Sequence, residues 1–135
     1  MDFYLDENLP PRLAKALNEL DEENRILHTQ IEFKKGIKDA QLINKLNEIK
    51  GTKIIVTNDI KFKHRIHQYR VYKDNNLSTI MIALPSVANY WVIIKTIMSK
   101  WELITKLSRE HEHPFICKIY LRKNPQMGGK EYAFF

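Results

Sequence analysis

Glycine is scarce in this chain, four in 135 residues, and none forms a cluster between a strand and a helix. A backbone cradle for a nucleotide's phosphates needs such a cluster, so nucleotide-cofactor binding is not expected. Cysteine is scarcer still. The lone Cys117 excludes an internal disulfide and suits a reducing compartment. No Ser/His/Asp nucleophile pattern stands out. Long apolar runs are missing too: the most apolar stretch, Thr79 to Ile94, is broken by Pro85, Ser86 and Asn89 and followed by Lys95, well short of the roughly 20 apolar residues that cross a bilayer. The N-terminus lacks a basic region leading into an apolar stretch, and Asp2 and Asp6 interrupt what apolar sequence is there. The expectation is a cytoplasmic protein with no membrane partner. Internal repeats and low-complexity tracts are also missing.

What is present is ordinary for a soluble domain, with 44% hydrophobic and 28% charged residues. At this length one core suffices. Strand and helix signals alternate, which favours a mainly parallel central sheet flanked by helices, an α/β architecture. The first strand covers residues 2 to 6. Pro10 and Pro11 open a helix carrying Leu13, Ala16, Leu17 and Leu20 at helical spacing. Arg25 to Thr29 is a second strand, and a helix from Asp39 to about Lys50 presents Leu42, Ile43, Leu46 and Ile49, with Gly51 as its stop. Lys53 to Thr57 is the third strand. Residues 60 to 76 are polar and basic, with weak helical character. Thr79 to Leu84 is a fourth strand, and apolar residues from Val87 to Leu107 step by three or four along a long helix. Pro114 to Leu121 closes the domain, 1 to 121. Residues 122 to 135 are expected to be a loosely ordered tail until Tyr132, Phe134 and Phe135 find a surface.

Three acids stand where an extended segment or a turn gives way to a helix. Asp6 ends Phe3-Tyr4-Leu5, Asp59 follows Ile54-Ile55-Val56-Thr57-Asn58, and Asp39 opens its helix. An apolar β-branched run ending on a carboxylate delivers that acid to the carboxyl edge of a parallel sheet, where open α/β folds place their sites. Hard oxygen ligands gathered there from distant positions are what Mg²⁺ or Mn²⁺ requires. The whole chain carries a formal charge of +6, and an acidic pocket on a basic protein points to a phosphodiester substrate. Each acid also has a plainer reading: Asp6 or Asp39 as a helix cap, Asp59 as an Asx turn.

The order and spacing of these motifs resemble a family. Leu5-Asp6-Glu7-Asn8-Leu9-Pro10-Pro11-Arg12-Leu13 is similar to the opening of PIN-like nuclease domains, with Asn8 as the small polar residue two places after the first acid. Thr57-Asn58-Asp59 resembles the family's Thr-x-Asp at a strand end, and Asp39 falls where a third carboxylate stands. The basic stretch, the helix with Tyr90-Trp91 and Lys100-Trp101, and the terminal strand resemble the toxin-associated branch related to VapC ribonuclease toxins. Lys61 stands where many members carry a further acid. The resemblance implies a metal-dependent endoribonuclease: Asp6, Asp39 and Asp59 as catalytic metal ligands, Asn8 and Thr57 orienting a carboxylate or the attacking water, Mg²⁺ or Mn²⁺ as cofactor, and a protein antitoxin as partner. Two other readings use the same residues. One is a non-catalytic module binding RNA or protein, which Lys61 favours. The other is a structure-specific DNA nuclease.

Lys61, Lys63, Arg65, Arg70 and Lys73 lie beyond the third strand with His64, His67, Tyr69 and Tyr72 interleaved. Read together, the cations meet RNA phosphates, and a tyrosine or histidine stacks on an unpaired base. His111-Glu112-His113 with Cys117 lacks a fourth zinc ligand and reads better as a polar loop beside a small buried residue. The late aromatics are candidates for docking a partner or for a homodimer.

Overall fold

The computed structural model describes residues 1–58, 62–85 and 88–135. Six strands form one sheet in the order β2-β1-β3-β4-β5-β6. They are β1 (Asp2–Leu5), β2 (Arg25–His28), β3 (Lys53–Asn58), β4 (Ser78–Ile82), β5 (Ile116–Asn124) and β6 (Lys130–Phe134). The first five are parallel and β6 is antiparallel to β5. The helices are α1 (Pro11–Leu20), α2 (Thr29–Glu32), α3 (Asp39–Asn47), α4 (Phe62–Asp74) and α5 (Tyr90–Glu110).

Side-chain alternation along the strands divides the core in two. Phe3, Leu5, Ile54, Val56, Ile80 and Ile82 pack with Leu13 and Leu17 of α1 and Ile97, Ile104 and Leu107 of α5. Tyr4, Ile55 and Met81 point the other way, onto Leu42, Ile43 and Leu46 of α3 and Tyr69 and Tyr72 of α4. Strands buried on both faces explain the unbroken apolar runs, since no position is left for a solvent-facing polar residue. The chain leaves β1 through α1 on one face and leaves β3 through α4 on the other. Neighbouring strands whose connections diverge open a crevice at their carboxyl ends, and here it lies between β1 and β3.

The regions with the weakest sequence signals are the most changed by the structure. Residues 60 to 76, weakly helical by pattern, contain the full helix α4 from Phe62 to Asp74. The helix expected to run from Asp39 to about Lys50 ends at Asn47. Gly51 lies beyond it, at φ +101 in the turn into β3, a conformation that L side chains disfavour. Residues 122 to 135, expected to be a loosely ordered tail beyond a domain ending at 121, are instead part of the sheet, since β5 continues to Asn124 and β6 pairs with it. Cys117 pairs with Phe134 in the β5–β6 register. The Phe134 ring stacks on His111 with centroids 3.7 Å apart and meets Phe115 edge-on at 5.5 Å. Among the described residues, no helix is long and apolar enough to cross a membrane.

Candidate functional site

β1 ends at Leu5, and the next residue extends its pairing: the Asp6 amide donates to the Val56 carbonyl at 3.1 Å. Alternation then turns Asp6 to the face of Tyr4, toward α3 and α4. Its Oδ1 accepts from the Asn8 amide at 3.0 Å, and its Oδ2 accepts from Asn8 Nδ2 at 3.4 Å. Arg65 of α4 approaches the same Oδ2 with Nη2 at 3.5 Å. Asp6 therefore does not cap α1, which starts at Pro11 behind Pro10 without a side-chain cap. Burial raises the pKa of Asp6 above the ordinary carboxylate value, although Thr57, Asn8 and Arg65 all pull it down. The structure thus holds a carboxylate whose charge is only partly compensated.

Asp39 arrives from the far side of the crevice. It is the first residue of α3, while the cap position belongs to Lys38, whose side chain makes no capping bond. The Asp39 carboxylate faces α4 instead: Oδ1 accepts from Gln68 Nε2 at 2.8 Å and from the Tyr72 hydroxyl at 2.9 Å. Burial and then the charge of Asp39 push the Tyr72 hydroxyl pKa upward, and Asp6 adds to that push. Both acids act on one tyrosine. They line a cavity of about 60 Å³ together with Asn8, Arg65, Gln68 and Tyr72, enough for about two waters or a hydrated ion's core.

One helix face makes this arrangement. Arg65, Gln68 and Tyr72 are spaced by three and four along α4 and so project from the same side. Arg65 reaches Asp6 and, through Nη1, the Thr57 hydroxyl at 3.5 Å, and it lies 5.2 Å over the Tyr69 ring. Gln68 and Tyr72 hold Asp39. Thr57 is fully buried near the end of β3 beside this group.

Of the three acids singled out in the sequence, Asp6 and Asp39 are brought together; Asp59, the residue after β3, lies outside the described residues, as does Lys61. Of the expected RNA contacts, Arg65 turns into the crevice, Arg70 is exposed on the outside of α4, and Lys73 is half-buried. The side chain of Lys63 also lies outside what is described. Tyr69 and Tyr72 are 1% and 3% exposed and belong to the core, so neither stacks on a base as expected. Their spacing from Arg65 carried the signal that they share its side of the helix, but not that this side turns inward. Gln68 and Tyr72, which sequence reasoning did not place at the site, hold one of its two described acids.

Other clusters are committed elsewhere. The His113 ring contacts Ser78 Oγ at 2.8 Å and the Ser108 carbonyl at 2.7 Å, using both nitrogens. Cys117 is buried and its thiol is pushed up to about 12 by desolvation. A larger cavity of about 470 Å³ between Asp21 and Trp101 lies at the opposite, amino end of the strands. It is wider than the crevice, but it has no buried acid with a partly compensated charge.

Among the described residues, no three His, Cys, Asp or Glu side chains are grouped to share a metal ion. The donors in the crevice nevertheless suit a hard divalent cation. They are carboxylate oxygens, one of them buried beyond what its neighbours neutralise, and the guanidinium of Arg65 already occupies the place of a cation.

An acid-lined crevice between two parallel strands of a doubly wound sheet is where such α/β folds place their sites. A family model described as a PIN like domain matches residues 1–84, more than half of the chain and the span that carries β1 to β4, both described acids and α4. The chain belongs to the PIN-like domain family. Such domains are often nucleases and typically use divalent metals. No curated protein and no solved structure matches the chain.

Proposed function

We propose that this protein is a Mg²⁺- or Mn²⁺-dependent endoribonuclease, with the toxin half of a toxin–antitoxin pair as its biological setting. One observation carries the chemistry: Asp6 and Asp39, from opposite sides of the crevice, share one cavity and one helix face that positions them. Asp6, Asp39 and Asp59 would hold the ion. When bound, it lowers the pKa of a water and stabilises charge on a phosphate oxygen during in-line displacement.

The chain's own residues prepare that step. Asn8 fixes both oxygens of Asp6. Gln68 and Tyr72 fix Asp39. Thr57 sits within reach of Arg65 to orient the group that Asp6 holds. Arg65 supplies positive charge at the place where a scissile phosphate would bring negative charge, and Arg70 and Lys73 lie farther along the same helix for the flanking backbone. The toxin setting rests on the sequence resemblance, and its test is a small neighbouring reading frame whose product binds and silences the protein.

A second reading is a scaffold that binds RNA without cutting it. It is favoured by the Arg65 guanidinium standing 3.5 Å from Asp6 and by Lys61, which the sequence resemblance sets where many PIN-like domains carry a further acid. Purified protein offered single-stranded RNA and DNA in parallel, with Mn²⁺ or with excess EDTA, separates the readings. Cleavage of RNA that needs Mn²⁺ supports the nuclease. Asp6→Asn, Asp39→Asn and Asp59→Asn should each lower it by at least a hundredfold, which corresponds to roughly 3 kcal/mol of transition-state stabilisation. Cleavage that survives EDTA, or full activity in all three variants, rules out the metal site.

A further inference from the structure

Trp91 is the most exposed large hydrophobic side chain but one among the described residues, at 68%, and its neighbour Tyr90 is 40% exposed. The two rings stand perpendicular, with centroids 5.5 Å apart. Helix α5 does not need them for packing. Its inner face is made by Ile97, Ile104 and Leu107, with Ile93, Ile94, Met98 and Trp101 beside them.

Topology places this pair. β4 and β5 are parallel neighbours, so α5 must return the chain from the carboxyl end of β4 to the start of β5. Its first turn therefore stands at the carboxyl edge of the sheet, the edge where the crevice opens, and β4 adjoins β3 there. Lys95 lies four residues beyond Trp91 and is also exposed. Residues so spaced have Cβ atoms about 6 Å apart on one helix face.

We propose that Tyr90, Trp91 and Lys95 form a stacking subsite for an unpaired base of a single-stranded nucleic acid lying across the carboxyl edge of the sheet. The inference rests on the nucleic-acid substrate proposed above. Charge complementarity selects this occupant: the chain is basic overall, and the exposed Lys95 shares the helix face of Trp91. Stacking on an aromatic face tolerates any base, while the lysine meets the backbone. Tyr69 and Tyr72 are buried in the core, whereas Tyr90 and Trp91 offer exposed rings. A duplex, whose bases are already stacked, gains nothing from them.

The test is binding of labelled oligouridylate, oligothymidylate and a short RNA duplex, in EDTA so that no cutting is required. Trp91→Ala should weaken binding of the single strands by about tenfold, within the range measured for one base stacked on an aromatic ring, and leave the duplex unaffected. Trp91→Phe should recover part of the loss, and both variants should melt with wild type because the side chain is exposed. Quenching of tryptophan emission by oligouridylate should disappear in Trp91→Phe. The RNA and DNA arms show which strand the subsite takes. Unchanged single-strand affinity in Trp91→Ala, equal losses on duplex and single strand, or no single-strand binding by wild type would each overturn the proposal. Cleavage with Mn²⁺ alongside unchanged Trp91→Ala affinity would sink the subsite and leave the nuclease standing. Trp91-dependent binding without cleavage would do the reverse.

Discussion

Replacing Arg65 with methionine keeps most of the stem that lies over Tyr69 and removes the charge facing Asp6. At 3.5 Å two unit charges attract by roughly 5 kcal/mol at an effective dielectric near 20. Desolvation offsets much of this, and the two side chains remain 22% and 14% exposed, so water screens part of the remainder. A net loss of about 2 kcal/mol is expected, below the range for a fully buried pair broken from one side. For a domain of this size that lowers the melting temperature by about 8 °C. The deficit should depend on metal. If the guanidinium occupies a cation's place, its removal tightens Mn²⁺ binding, and a tenfold gain in affinity returns about 1.4 kcal/mol at saturating ion. Thermal melts of both proteins in EDTA and in excess Mn²⁺ measure the difference. A deficit of equal size in the two buffers would refute competition between Arg65 and the ion, and no deficit in EDTA would refute the weight given to the ion pair.

Tyr72→Phe removes the hydroxyl that Asp39 accepts at 2.9 Å and should cost about 1 kcal/mol in chemical denaturation; unchanged stability would undo the link between α3 and α4. Deleting residues 130–135 strips β6 from β5 and uncovers Phe115, so unfolding should become easier by at least about 2 kcal/mol, and a truncated domain as stable as the full chain would contradict the packing of Phe134. The Cys117 thiol, pushed up to about 12 by burial, should resist alkylation in the native protein at mildly alkaline pH and react fully in denaturant. Native labelling seen by mass spectrometry would show that the thiol is accessible.

Those parts of the molecule that repeat with a local period were legible in the sequence. Ile54, Ile55 and Val56 announce a strand buried on both faces, and Asp6, at the end of another, announces the carboxyl edge. The α/β architecture emerges from the alternation of these runs with helical spacing. The direction of α4 was not legible, because its cations and tyrosines alternate without a clear apolar stripe. Whether Arg65 meets solvent or Asp6 depends on how that helix lies on the sheet, which is decided by contacts far away in sequence. Tyr72 looked like a stacking ring for the same reason: nothing local reveals that its hydroxyl meets a carboxylate 33 residues upstream. β6 was hidden because its five residues have meaning only against the register of β5.

The way α4 is fastened has a consequence for the motions of the domain. Tyr69 and Tyr72 anchor the helix in apolar surroundings, but Arg65 and Gln68 tie it through polar bonds to the two acids. Anything that occupies those acids therefore shifts the balance between the docked helix and its opened form. Amide hydrogen exchange along the helix registers that balance directly, since local opening has its own free energy below that of global unfolding. The protection of α4 amides becomes a reporter of what sits in the crevice, readable in a protein that has cut nothing.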